Sequence, residues 1–372
     1  MSEKPIDGYI PILRSNNIKN SNIDLEDLVY VNPSRVKNRQ FLRSGDILIT
    51  ASTGSIKVIG KNAYCVKDYD ASFGAFCKVV RPKNIEATYL KHMFQSPQYF
   101  SYIQNVVNGA NINNIKNEHL DNFKIPLPPL ATQKRIAQIL DDAAALRDKT
   151  AQLLKEYDAL AQSIFLEMFG DPVTNPKGWD SETINNCSKR IQIGPFGSQL
   201  HQSDYQDFGF SLVNPTDIID SKININRCRK IDKNKFDSLT NYHLEIGDII
   251  MARRGDLSKI ALVQDRNLFC GTGSLYIRFN NRIIPTFSKY YISHSSTISK
   301  LYEKARGITM ANLNKSIIKN LDIIVPPIDL QNQFEEKIAL IEQQKVLAKQ
   351  ELKESEDLFN CLLQKAFKGE IQ

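Results

Sequence analysis

The sequence predicts an α+β protein in which two duplicated domains, built of short-strand sheets and a few helices, are separated by two long helices that form an antiparallel coiled coil. Three observations support this prediction. The chain of 372 residues repeats itself once, and short apolar segments bounded by Gly, Pro and Asn occur in both copies. An uninterrupted heptad pattern follows a proline pair in each copy. The order along the chain is therefore domain, helix, domain, helix.

The internal repeat is most regular in its second half. Residues 109–169 align without a gap with residues 307–367. Only two copies exist, and each is larger than the unit of a stacked repeat array, so the repeat is a duplicated domain. The upstream matches are residues 10–18 with 210–218 and Gly45–Leu48 with Gly247–Ile250.

The segment boundaries follow from short apolar strands and from prolines. Asp46–Thr50 and its counterpart Asp248–Ala252 are apolar runs typical of strands. A proline pair precedes each long helical pattern, and proline cannot continue a helix, so it marks the end of each domain. The predicted segments are a first domain over 1–129, a long helix over 130–170, a second domain over 171–327 and a second long helix over 328–372.

Both long helices carry an apolar stripe at heptad spacing. A helix from Thr132 to Met168 would be about 55 Å long, which exceeds the width of a small domain. We expect the two helices to pair along this stripe, although packing of each helix on its own domain stays open as an alternative. The predicted seam residues are Ile136, Ile139, Leu146, Leu153, Tyr157 and Leu160 in the first helix, and Phe334, Ile338, Ile341, Leu352, Phe359 and Leu362 in the second.

The outer faces of the paired helices are expected to carry further leucines. Leu140, Leu154, Leu340 and Leu347 fall outside the predicted seam. Exposed apolar rows on a coiled coil favour the packing of further helices from a partner. Scattered surface leucines without a partner are the alternative.

The net charge of +7 is unevenly distributed along the chain. The two domains carry +5 and +6, whereas the two long helices carry −1 and −3. Basic globular domains favour an anionic partner such as nucleic acid. Charge alone is a weak indication, because many proteins are equally basic.

The sequence contains no motif that predicts catalysis or metal binding. None of the six cysteines forms a C-x-x-C pair, and the five histidines lack metal-ligand spacing, so we expect free thiols and no metal site. There is no phosphate-binding G-x-x-x-x-G-K-[ST] loop and no G-x-S-x-G nucleophile turn. The chain also lacks an 18-residue apolar run and a signal peptide, so we expect a cytoplasmic protein without its own cofactor.

Two pairs of polar, glycine-bearing loops are the candidate binding features. Such loops can place backbone N–H groups, hydroxyls and cations against phosphates, and Arg or Asn can read base edges. The copies differ most in these loops, which indicates two different ligands on one scaffold; ordinary surface turns are the alternative. The candidate DNA-binding residues are Arg14, Asn16, Asn17, Ser52, Thr53, Ser55, Lys57, Asn111 and Asn113 in the first domain, and Arg253, Arg254, Ser258, Lys259, Arg306, Thr309 and Asn312 in the second.

Two motifs occur twice and in the same order. One is the Gly-Asp-Ile-[Leu/Ile] strand followed by a glycine-containing loop. The other is an aliphatic-Pro-Pro-x-x-x-Gln entry to a long helix, with Gln133 and Gln331 at its last position. In these motifs the chain resembles the DNA-specificity subunits of Type I restriction-modification systems, and the resemblance covers nearly its whole length.

The resemblance implies that each basic domain is a target-recognition domain that reads one half of a bipartite, asymmetric DNA sequence. It also implies that the coiled coil fixes the distance between the half-sites and binds two methylation subunits, and that restriction subunits join through the complex. S-adenosylmethionine, ATP and Mg would belong to those partners, so no catalytic residue is implied here. Two alternatives stay open: a self-sufficient restriction and methylation enzyme of related type, and a coiled-coil structural protein with no DNA role.

The first domain departs from this pattern. The second domain has about 30 residues ahead of Phe210, including Trp179-Asp180 and the loop Ile193–Ser198, whereas only residues 1–8 precede the matching segment of the first. An opening strand and a glycine loop therefore lack counterparts. We expect the sheet of the first domain to be incomplete and the domain to be the less stable of the two.

Overall fold

A computed structural model describes residues 2–55, 58–108, 114–197, 199–305 and 312–371, apart from the side chain of Asn108. None of the helices in these ranges combines the length and apolar character that crossing a membrane requires. The chain divides into two compact units. Unit 1 comprises Met1–Gln152 and Lys349–Gln372, and unit 2 comprises Leu153–Ala348.

Unit 1 contains two three-stranded sheets and a short hairpin. Its strands are β1 (Ile10–Leu13), β2 (Ile18–Lys19), β3 (Asn22–Ile23), β4 (Val29–Val31), β5 (Ile47–Thr50), β6 (Asn62–Tyr64), β7 (Ser72–Phe73) and β8 (Cys77–Val80). Its helices are α1 (Ala87–Phe94), α2 (Pro97–Asn108), α3 (Asn117–Asp121) and the first part of α4 (Leu130–Phe169). The sheets have the orders β4-β1-β7 and β6-β5-β8, and β2 pairs with β3. Every pairing is antiparallel except that of β1 with β7.

Unit 2 contains two four-stranded sheets and two two-stranded ones. Its strands are β9 (Ser181–Thr183), β10 (Ser188–Ile193), β11 (Tyr205–Gln206), β12 (Phe210–Val213), β13 (Ile218–Ile219), β14 (Lys222–Ile223), β15 (Arg229–Ile231), β16 (Ile249–Ala252), β17 (Ile260–Leu262), β18 (Leu268–Cys270), β19 (Ser274–Phe279) and β20 (Asp322–Ile324). Its helices are α5 (Ile184–Cys187), α6 (Lys233–Ser238), α7 (Pro285–Ser293), α8 (Ser295–Lys304), α9 (Lys315–Lys319) and the first part of α10 (Ile328–Lys368). The sheet orders are β10-β19-β16-β17, β11-β15-β12-β18, β13-β14 and β20-β9.

The Gly-Asp-Ile strand lies between two hydrophobic clusters, which explains its continuous apolar sequence. All four residues of β5 are buried. Ile47 and Ile49 pack with Leu90 of α1 and Ile103 of α2, while Leu48 faces the opposite cluster. Successive side chains of a strand point to opposite faces, so a strand covered on both sides needs apolar residues at every position. Strand β16 of unit 2 follows the same rule.

Each large sheet of unit 2 has one strand more than its counterpart in unit 1. The additional strands, β10 and β11, both come from residues 188–206. In the described part of unit 1, a single bridge between Ser2 and Tyr30 lies where Gln206 pairs with Lys230 in unit 2. Each large sheet of unit 1 therefore has three strands where its counterpart in unit 2 has four, and the comparison of the two sequence copies predicts such an incomplete sheet.

In unit 1, the beginning of α4 packs against the end of α10. Ile136 and Leu140 of α4 form one buried cluster with Phe359, Leu363 and Phe367 of α10. Two residues of α1 complete this cluster, so the domain and both helices share one core. The expectation that the long helices pair with each other agrees with this packing.

In unit 2, the end of α4 packs against the beginning of α10. The rings of Phe165 and Phe169 contact the ring of Phe334, at centroid distances of 5.6 and 5.3 Å. Earlier in α4, Asp158 accepts a hydrogen bond from Lys345 Nζ at 2.7 Å. Residue numbers thus rise along one helix as they fall along the other, and the predicted antiparallel pairing is confirmed.

The predicted register of the first long helix is wrong at position d. Leu146 and Leu160 are 44% and 47% exposed, whereas Leu140, which was expected on the outer face, is fully buried. Ile139 and Leu153 are half-buried beside the seam. From each a position, the next buried residue lies four residues further on, and the next a position follows three residues after that. The predicted register has these two steps in the opposite order.

An arginine explains why the sequence pattern favoured the wrong register. The observed stripe passes through Arg147, which an apolar heptad search rejects. The guanidinium of Arg147 covers the ring of Phe359 at 4.9 Å from its centroid, so its side chain contributes to the seam. Leu154, also expected on the outer face, is half-buried on the same stripe.

The predicted apolar stripe of the second long helix is buried or half-buried along its whole length. Leu340 and Leu347, by contrast, are 62% and 59% exposed on the outer face of α10. The predicted seam residues that are buried are Phe334, Ile338, Ile341 and Phe359, and those that are half-buried are Leu352 and Leu362.

A charged contact also joins the domain of unit 1 to its long helix. Lys91 Nζ lies 2.5 Å and His92 Nε2 lies 2.8 Å from Asp141 Oδ1 of α4. Burial of His92 lowers its pKa to about 4, so its ring is neutral at neutral pH. The contact therefore relies on the lysine for its positive charge.

In unit 2 different residues join the domain to the long helix. Lys222 of β14 and Lys345 of α10 each donate to Glu342 at 2.8 Å. Burial alone would raise the pKa of Glu342, but the two lysine hydrogen bonds outweigh it and lower the pKa to about 2. Glu342 thus stays charged at neutral pH and holds the hairpin β13–β14 on α10.

One leucine on the observed seam and one leucine off it provide a matched pair of substitutions that tests the register. Leu140→Ala opens a cavity in a closed core and should lower the free energy of unfolding by about 2–5 kcal/mol. Leu146→Ala, one helical turn and a half further on, should change it by about 0.5 kcal/mol or less. Urea denaturation of both variants measures the difference, and equal losses would contradict the register.

The lower stability expected for unit 1 is tested by domain-resolved hydrogen exchange. Strand β8 ends the sheet of unit 1, whereas β19 lies inside the sheet of unit 2. Amides of β8 should exchange faster than those of β19, because an edge strand opens with less disruption. Equal protection of the two strands would refute this expectation.

Candidate nucleic-acid interface

A buried ion pair holds the central strand of unit 1 to its neighbour. The carboxylate of Asp46 is 1% exposed. It accepts hydrogen bonds from Arg81 Nε at 2.8 Å, from Arg81 Nη2 at 2.7 Å and from the amide of Arg43 at 2.8 Å. The hydrogen bond to Asp46 raises the pKa of Arg81. The pair joins the beginning of β5 to the end of β8.

The same pair occurs in unit 2. Arg278 Nε and Nη2 each donate to the carboxylate of Asp248 at 2.8 Å, and the amide of Glu245 donates to it at 2.8 Å. The Asp of the Gly-Asp-Ile motif is therefore a structural residue in both copies. It fixes the strands whose far ends carry the candidate loops.

The glutamine that ends the Pro-Pro-x-x-x-Gln motif joins each domain to its long helix. Gln331 Oε1 accepts from the amide of Ile284 at 2.8 Å, and Gln331 Nε2 donates to the carbonyls of Pro326 at 2.8 Å and Arg282 at 3.0 Å. Gln331 is fully buried. One amide side chain thus links the proline turn, the beginning of α7 and the beginning of α10.

Gln133 has the same role in unit 1. It accepts from the amide of Glu86 at 2.9 Å and donates to the carbonyl of Pro128 at 2.8 Å. The sequence singles out both glutamines by their repetition, but it does not show what they bind.

In unit 2 the candidate loops come together at one end of the sheets. We call residues 194–197, 253–259, 271–273 and 312–313 the loop edge of unit 2. Arg254 forms a bridge with Asn312, and the amide of Leu313 donates to the carbonyl of Arg253 at 2.6 Å. The amide of Arg253 donates to the carbonyl of Gly273 at 3.0 Å. Arg253 and Arg254 are thus brought together with Asn312, which lies far from them in the sequence.

The guanidinium of Arg253 retains hydrogen-bonding capacity. It lies 5.8 Å from the ring of Phe196, and Nη2 makes only a 3.5 Å contact with Asn312 Oδ1. Its buried Nε has no hydrogen-bond partner among the described residues. Burial, and then the neighbouring Arg254, lower the pKa of Arg253. An acceptor atom from a ligand would satisfy these donors and offset the cost of burying them.

Phe196 is a surface residue that the sequence analysis missed. It is 60% exposed. Its loop lies against the neighbouring turn so closely that a Cβ on Gly194 would be 1.9 Å from the carbonyl oxygen of Gly271. The signal that could have found it is the Gly-Pro-Phe-Gly sequence, because Gly and Pro mark a turn, where a side chain is more often exposed.

Internal hydrogen bonds shape the loop 253–259. Asp256 Oδ1 accepts from the amide of Ser258 at 3.0 Å and from its hydroxyl at 2.5 Å, and these bonds lower the pKa of Asp256. The hydroxyl of Tyr302 accepts from the amide of Leu257 at 3.0 Å. The proton of the Ser258 hydroxyl is therefore used inside the loop. Arg254 remains exposed, and Lys259 is half-buried.

Unit 1 has the equivalent edge with different side chains. We call residues 51–55, 74–76 and 114–115 the loop edge of unit 1. Ser52 bridges Asn114, and the amide of Ile115 donates to the carbonyl of Ala51 at 2.7 Å. The carbonyl of Phe76 accepts from the amides of Ala51 and Ser52 at 2.8 and 3.0 Å. The backbone arrangement thus matches that of unit 2.

The side chains at this edge are polar or aromatic rather than cationic in the described residues. Thr53 Oγ1 accepts from the amide of Ser55 at 3.3 Å. Phe76 is 68% exposed and was not among the candidates. The remaining candidates Lys57, Asn111, Asn113, Arg306 and Thr309 lie outside the described residues.

The structure corrects the prediction for Asn17. This residue is 1% exposed. Its Oδ1 accepts from the amide of Arg14 at 2.9 Å, and its Nδ2 donates to the carbonyls of Asp24 at 3.0 Å and Glu26 at 2.6 Å. A buried amide whose groups are already bonded has nothing left for DNA. Arg14 and Asn16 next to it are exposed, and Arg14 Nη2 donates to the carbonyl of Asp27 at 2.8 Å.

No group of three or more His, Cys, Asp or Glu side chains in the described part of the chain could hold a metal ion. The site consists instead of two polar loop edges, each fixed by a buried ion pair and a buried glutamine. Each loop edge, taken by itself, offers polar groups of the kind that contact phosphates and base edges.

Comparison with known proteins gives the family. Residues 2–156 and 206–365 match the model of the Type I restriction modification DNA specificity domain. Because these matches cover most of the chain, it belongs to the family of Type I restriction-modification DNA-specificity subunits. The resemblance drawn from the two motifs is confirmed, and so is the role of a DNA-specificity subunit rather than an enzyme.

Individual relatives cover almost the entire chain. The Type I restriction enzyme StySPI specificity subunit of Salmonella potsdam is 30% identical over 404 residues, which is 98% of this chain and 83% of that protein. The EcoKI specificity subunit of Escherichia coli strain K12 is 26% identical over 386 residues, with the same coverage of both chains.

Solved structures share the fold at low sequence identity. The S subunit of a Type I restriction-modification system from M. genitalium matches with a TM-score of 0.52 and 16% identity, covering 90% of this chain and 86% of that one. A chain from a study of complex assembly in the type I R-M system matches with a TM-score of 0.60 and 17% identity, covering 96% and 91%.

The buried ion pair can be tested against an exposed one in the same domain. Arg278→Ala leaves Asp248 buried without its partner and should lower the free energy of unfolding by about 3–5 kcal/mol. Arg282→Ala removes an arginine that pairs with Glu182 at the surface, and should cost about 1 kcal/mol or less. Chemical denaturation compares the two variants; similar losses would remove the structural role assigned to the motif.

Proposed function

We propose that this chain is the subunit that reads the DNA target of a Type I restriction-modification complex, with each loop edge reading one half of a bipartite, asymmetric sequence. One observation carries this proposal. The backbone contacts of Ala51 and Ser52 in one loop edge largely match those of Arg253 and Arg254 in the other, but the side chains differ. Two loop edges with a similar backbone arrangement and different side chains can read two different half-sites, because side chains at the loops contact the base edges that carry the sequence information.

Arg253 is the candidate for base reading in unit 2. Its guanidinium has unused donors, and bidentate arginine contacts with guanine are the commonest specific contact in the major groove. Arg254 and Lys259 suit phosphate contacts, because a half-buried or exposed cation without a fixed geometry supplies charge rather than base specificity. Phe196, next to Arg253, would supply an apolar contact to the same bases.

The exposed apolar row on α10 suits the binding of methylation subunits. Leu340, Val346 and Leu347 are each about 60% exposed along one stretch of the helix. Leu140 no longer belongs to this surface, because it lies in the core of unit 1. Two methylation subunits would bind to the long helices, and restriction subunits would join through the complex.

Cofactors belong to the partners in this proposal. S-adenosylmethionine would be held by the methylation subunits, and ATP and Mg by the restriction subunits. This chain would supply DNA binding and positioning, in the cytoplasm where its DNA substrate lies.

Alanine variants of the loop edge test the proposal. The triple variant Arg253→Ala, Arg254→Ala, Lys259→Ala, assembled with its methylation subunits, should lose methylation at the wild-type target. Loss of a base-reading arginine should cost about 1–3 kcal/mol and relax one base position, whereas loss of a phosphate contact should weaken binding to all sequences and reduce the salt slope. Single-molecule sequencing of genomic DNA reads the methylated motif directly.

The control variant removes three cations from the other large sheet of unit 2, at the end opposite to residues 271–273 of the loop edge. Lys233 and Lys235 follow β15, and Arg266 precedes β18, at the end where Phe210 pairs with Ile231. Alanine at these three positions changes the net charge equally and should leave the methylated motif unchanged. If the loop-edge variant methylates the same sites at the same rate, the assignment is wrong. A chain that transfers methyl groups by itself would indicate an enzyme, and one that never binds DNA in the complex would indicate a structural protein.

A further inference from the structure

A lysine occurs at the same position in the first helix pair of both units. The buried glutamines fix the alignment, because Gln133 and Gln331 each accept a hydrogen bond from a backbone amide 47 residues earlier. Lys91 lies 42 residues before Gln133, and Lys289 lies 42 residues before Gln331. Lys91 of α1 and Lys289 of α7 are therefore equivalent.

The long helix supplies a carboxylate to this lysine in unit 1 but not in unit 2. Lys91 Nζ lies 2.5 Å from Asp141 Oδ1 of α4. The gap-free match of residues 109–169 with 307–367 places Ala339 of α10 where Asp141 lies in α4. Ala339 is exposed, and its methyl group can neither accept a hydrogen bond nor carry a charge. Unit 2 thus keeps the lysine and lacks its partner.

The ammonium of Lys289 has no replacement partner among the described residues. The side chain is half-buried, and its Nζ lies 4.3 Å from the centroid of the Tyr290 ring, where it forms no hydrogen bond or ion pair with a described residue. Burial lowers the pKa of Lys289, and the charge of Glu342 offsets this effect only in part. A partly buried cation without a hydrogen-bonded anion is costly, and an anionic group from a ligand would recover that cost.

The carboxylates on the facing side of α10 are engaged by other residues. Glu342 accepts hydrogen bonds from two other lysines, Lys222 and Lys345, both at 2.8 Å. Glu335 Oε1 accepts from the hydroxyl of Thr286 at 2.6 Å. The position of Ala339, between these two glutamates on the helix, is the one from which a carboxylate reaches the lysine in unit 1.

An open cavity of about 620 Å³ lies at this place in unit 2. Lys289 and Ala339 both line it, and its surface is mainly apolar, with Leu262, Tyr290 and Val346 in its walls. Val346 is 61% exposed and belongs to the exposed apolar row of α10. The cavity is therefore continuous with that row, and it has room for an acidic side chain together with an apolar neighbour.

We propose that this cavity binds an acidic side chain of the methylation subunit, whose carboxylate pairs with Lys289 as Asp141 pairs with Lys91. An apolar residue beside the acidic one packs against Tyr290 and Val346. The inference rests on the proposed function, because the exposed row that leads into the cavity is the surface assigned there to the methylation subunits. Charge complementarity at a site that excludes water gives such a contact both affinity and specificity.

The equivalent cavity of unit 1 makes no such demand on a partner. It has a volume of about 450 Å³ and is lined by Lys91. Asp141 already pairs with that lysine, so a second carboxylate would meet a negative charge there. The two units therefore differ in what they ask of a partner, and the difference arises from one residue of each long helix.

A carboxylate supplied by the chain itself tests the proposal. Ala339→Asp should pair with Lys289 and exclude the partner's acidic side chain, whereas Ala339→Asn fills the same space without the charge. The methylation subunit is titrated into the full-length chain, and mass photometry counts the subunits bound at each concentration. Ala339→Asp should weaken the binding of one of the two subunits about tenfold. Ala339→Asn should weaken it about twofold or less.

The stability of the same two variants separates this effect from a folding defect. The new ion pair with Lys289 should offset the repulsion from Glu335 and Glu342 in Ala339→Asp. In urea denaturation of the chain alone, Ala339→Asp should therefore be at least as stable as Ala339→Asn.

Substitution of the lysine gives the second arm of the experiment. Lys289→Gln removes the cation and should weaken the same binding step about tenfold, whereas Lys289→Arg keeps the charge and should retain most of the affinity. Lys337 is exposed on α10 and does not line the cavity. Lys337→Gln changes the net charge equally and should weaken binding about twofold or less.

The outcomes separate this inference from the proposed function. If Lys289→Gln and Ala339→Asp bind both methylation subunits as the unsubstituted chain does, the inference is overturned and the proposed function stands. If the unsubstituted chain binds no methylation subunit, the proposed function fails and the inference fails with it. Self-association of the chain alone that Ala339→Asp abolishes would assign the cavity to a second copy and would also overturn the inference.

Discussion

The buried pair between aspartate and arginine is the interaction on which both units depend. In each unit it joins the beginning of the central strand to its neighbour, and the loop edge lies at the other end of these strands. The carboxylate of Asp248 accepts hydrogen bonds from Arg278 and from one backbone amide, so loss of Arg278 would leave a buried carboxylate without its cation. A frame fixed in this way allows the side chains of the loops to change freely. The two copies have diverged in that manner, with Arg253 and Arg254 in one and Ala51 and Ser52 in the other.

Each domain must also be held on its own stretch of the long helices, because a reading loop is useful only at a fixed place. Gln331 and Gln133 form hydrogen bonds with backbone groups beside the proline turn that have no partner within a helix. This arrangement is the same in both units. The charged contacts beside them differ. In unit 1 the helix residue Asp141 is held by Lys91 of the domain, whereas in unit 2 the helix residue Glu342 is held by Lys222 of the domain and by Lys345 of the same helix. The glutamine hydrogen bonds to backbone groups are therefore the same in both units, whereas the ion pairs between each domain and its helix differ.

The sequence predicted the repeat, the central strands and both long helices, because these depend on local patterns. It failed where a contact between distant residues decides the outcome. The heptad pattern favours Leu146 over Leu140 because the stripe through Leu140 contains Arg147, and only the ring of Phe359 shows that the arginine side chain covers the seam. Asn17 looks like a loop residue until its three hydrogen bonds are known. Which loop residues meet DNA depends on side-chain placement, which no periodicity encodes.

The two units present an exposed phenylalanine at their loop edges by different routes. In unit 2, Phe196 follows β10 directly, so the fourth strand of the sheet and the aromatic residue beside Arg253 belong to one segment. In unit 1, Phe76 follows β7, and its carbonyl accepts the amides of Ala51 and Ser52. A sheet that lacks the strand equivalent to β10 also lacks the loop that follows it. The surface that unit 1 offers to a ligand therefore cannot be inferred from unit 2 by superposition.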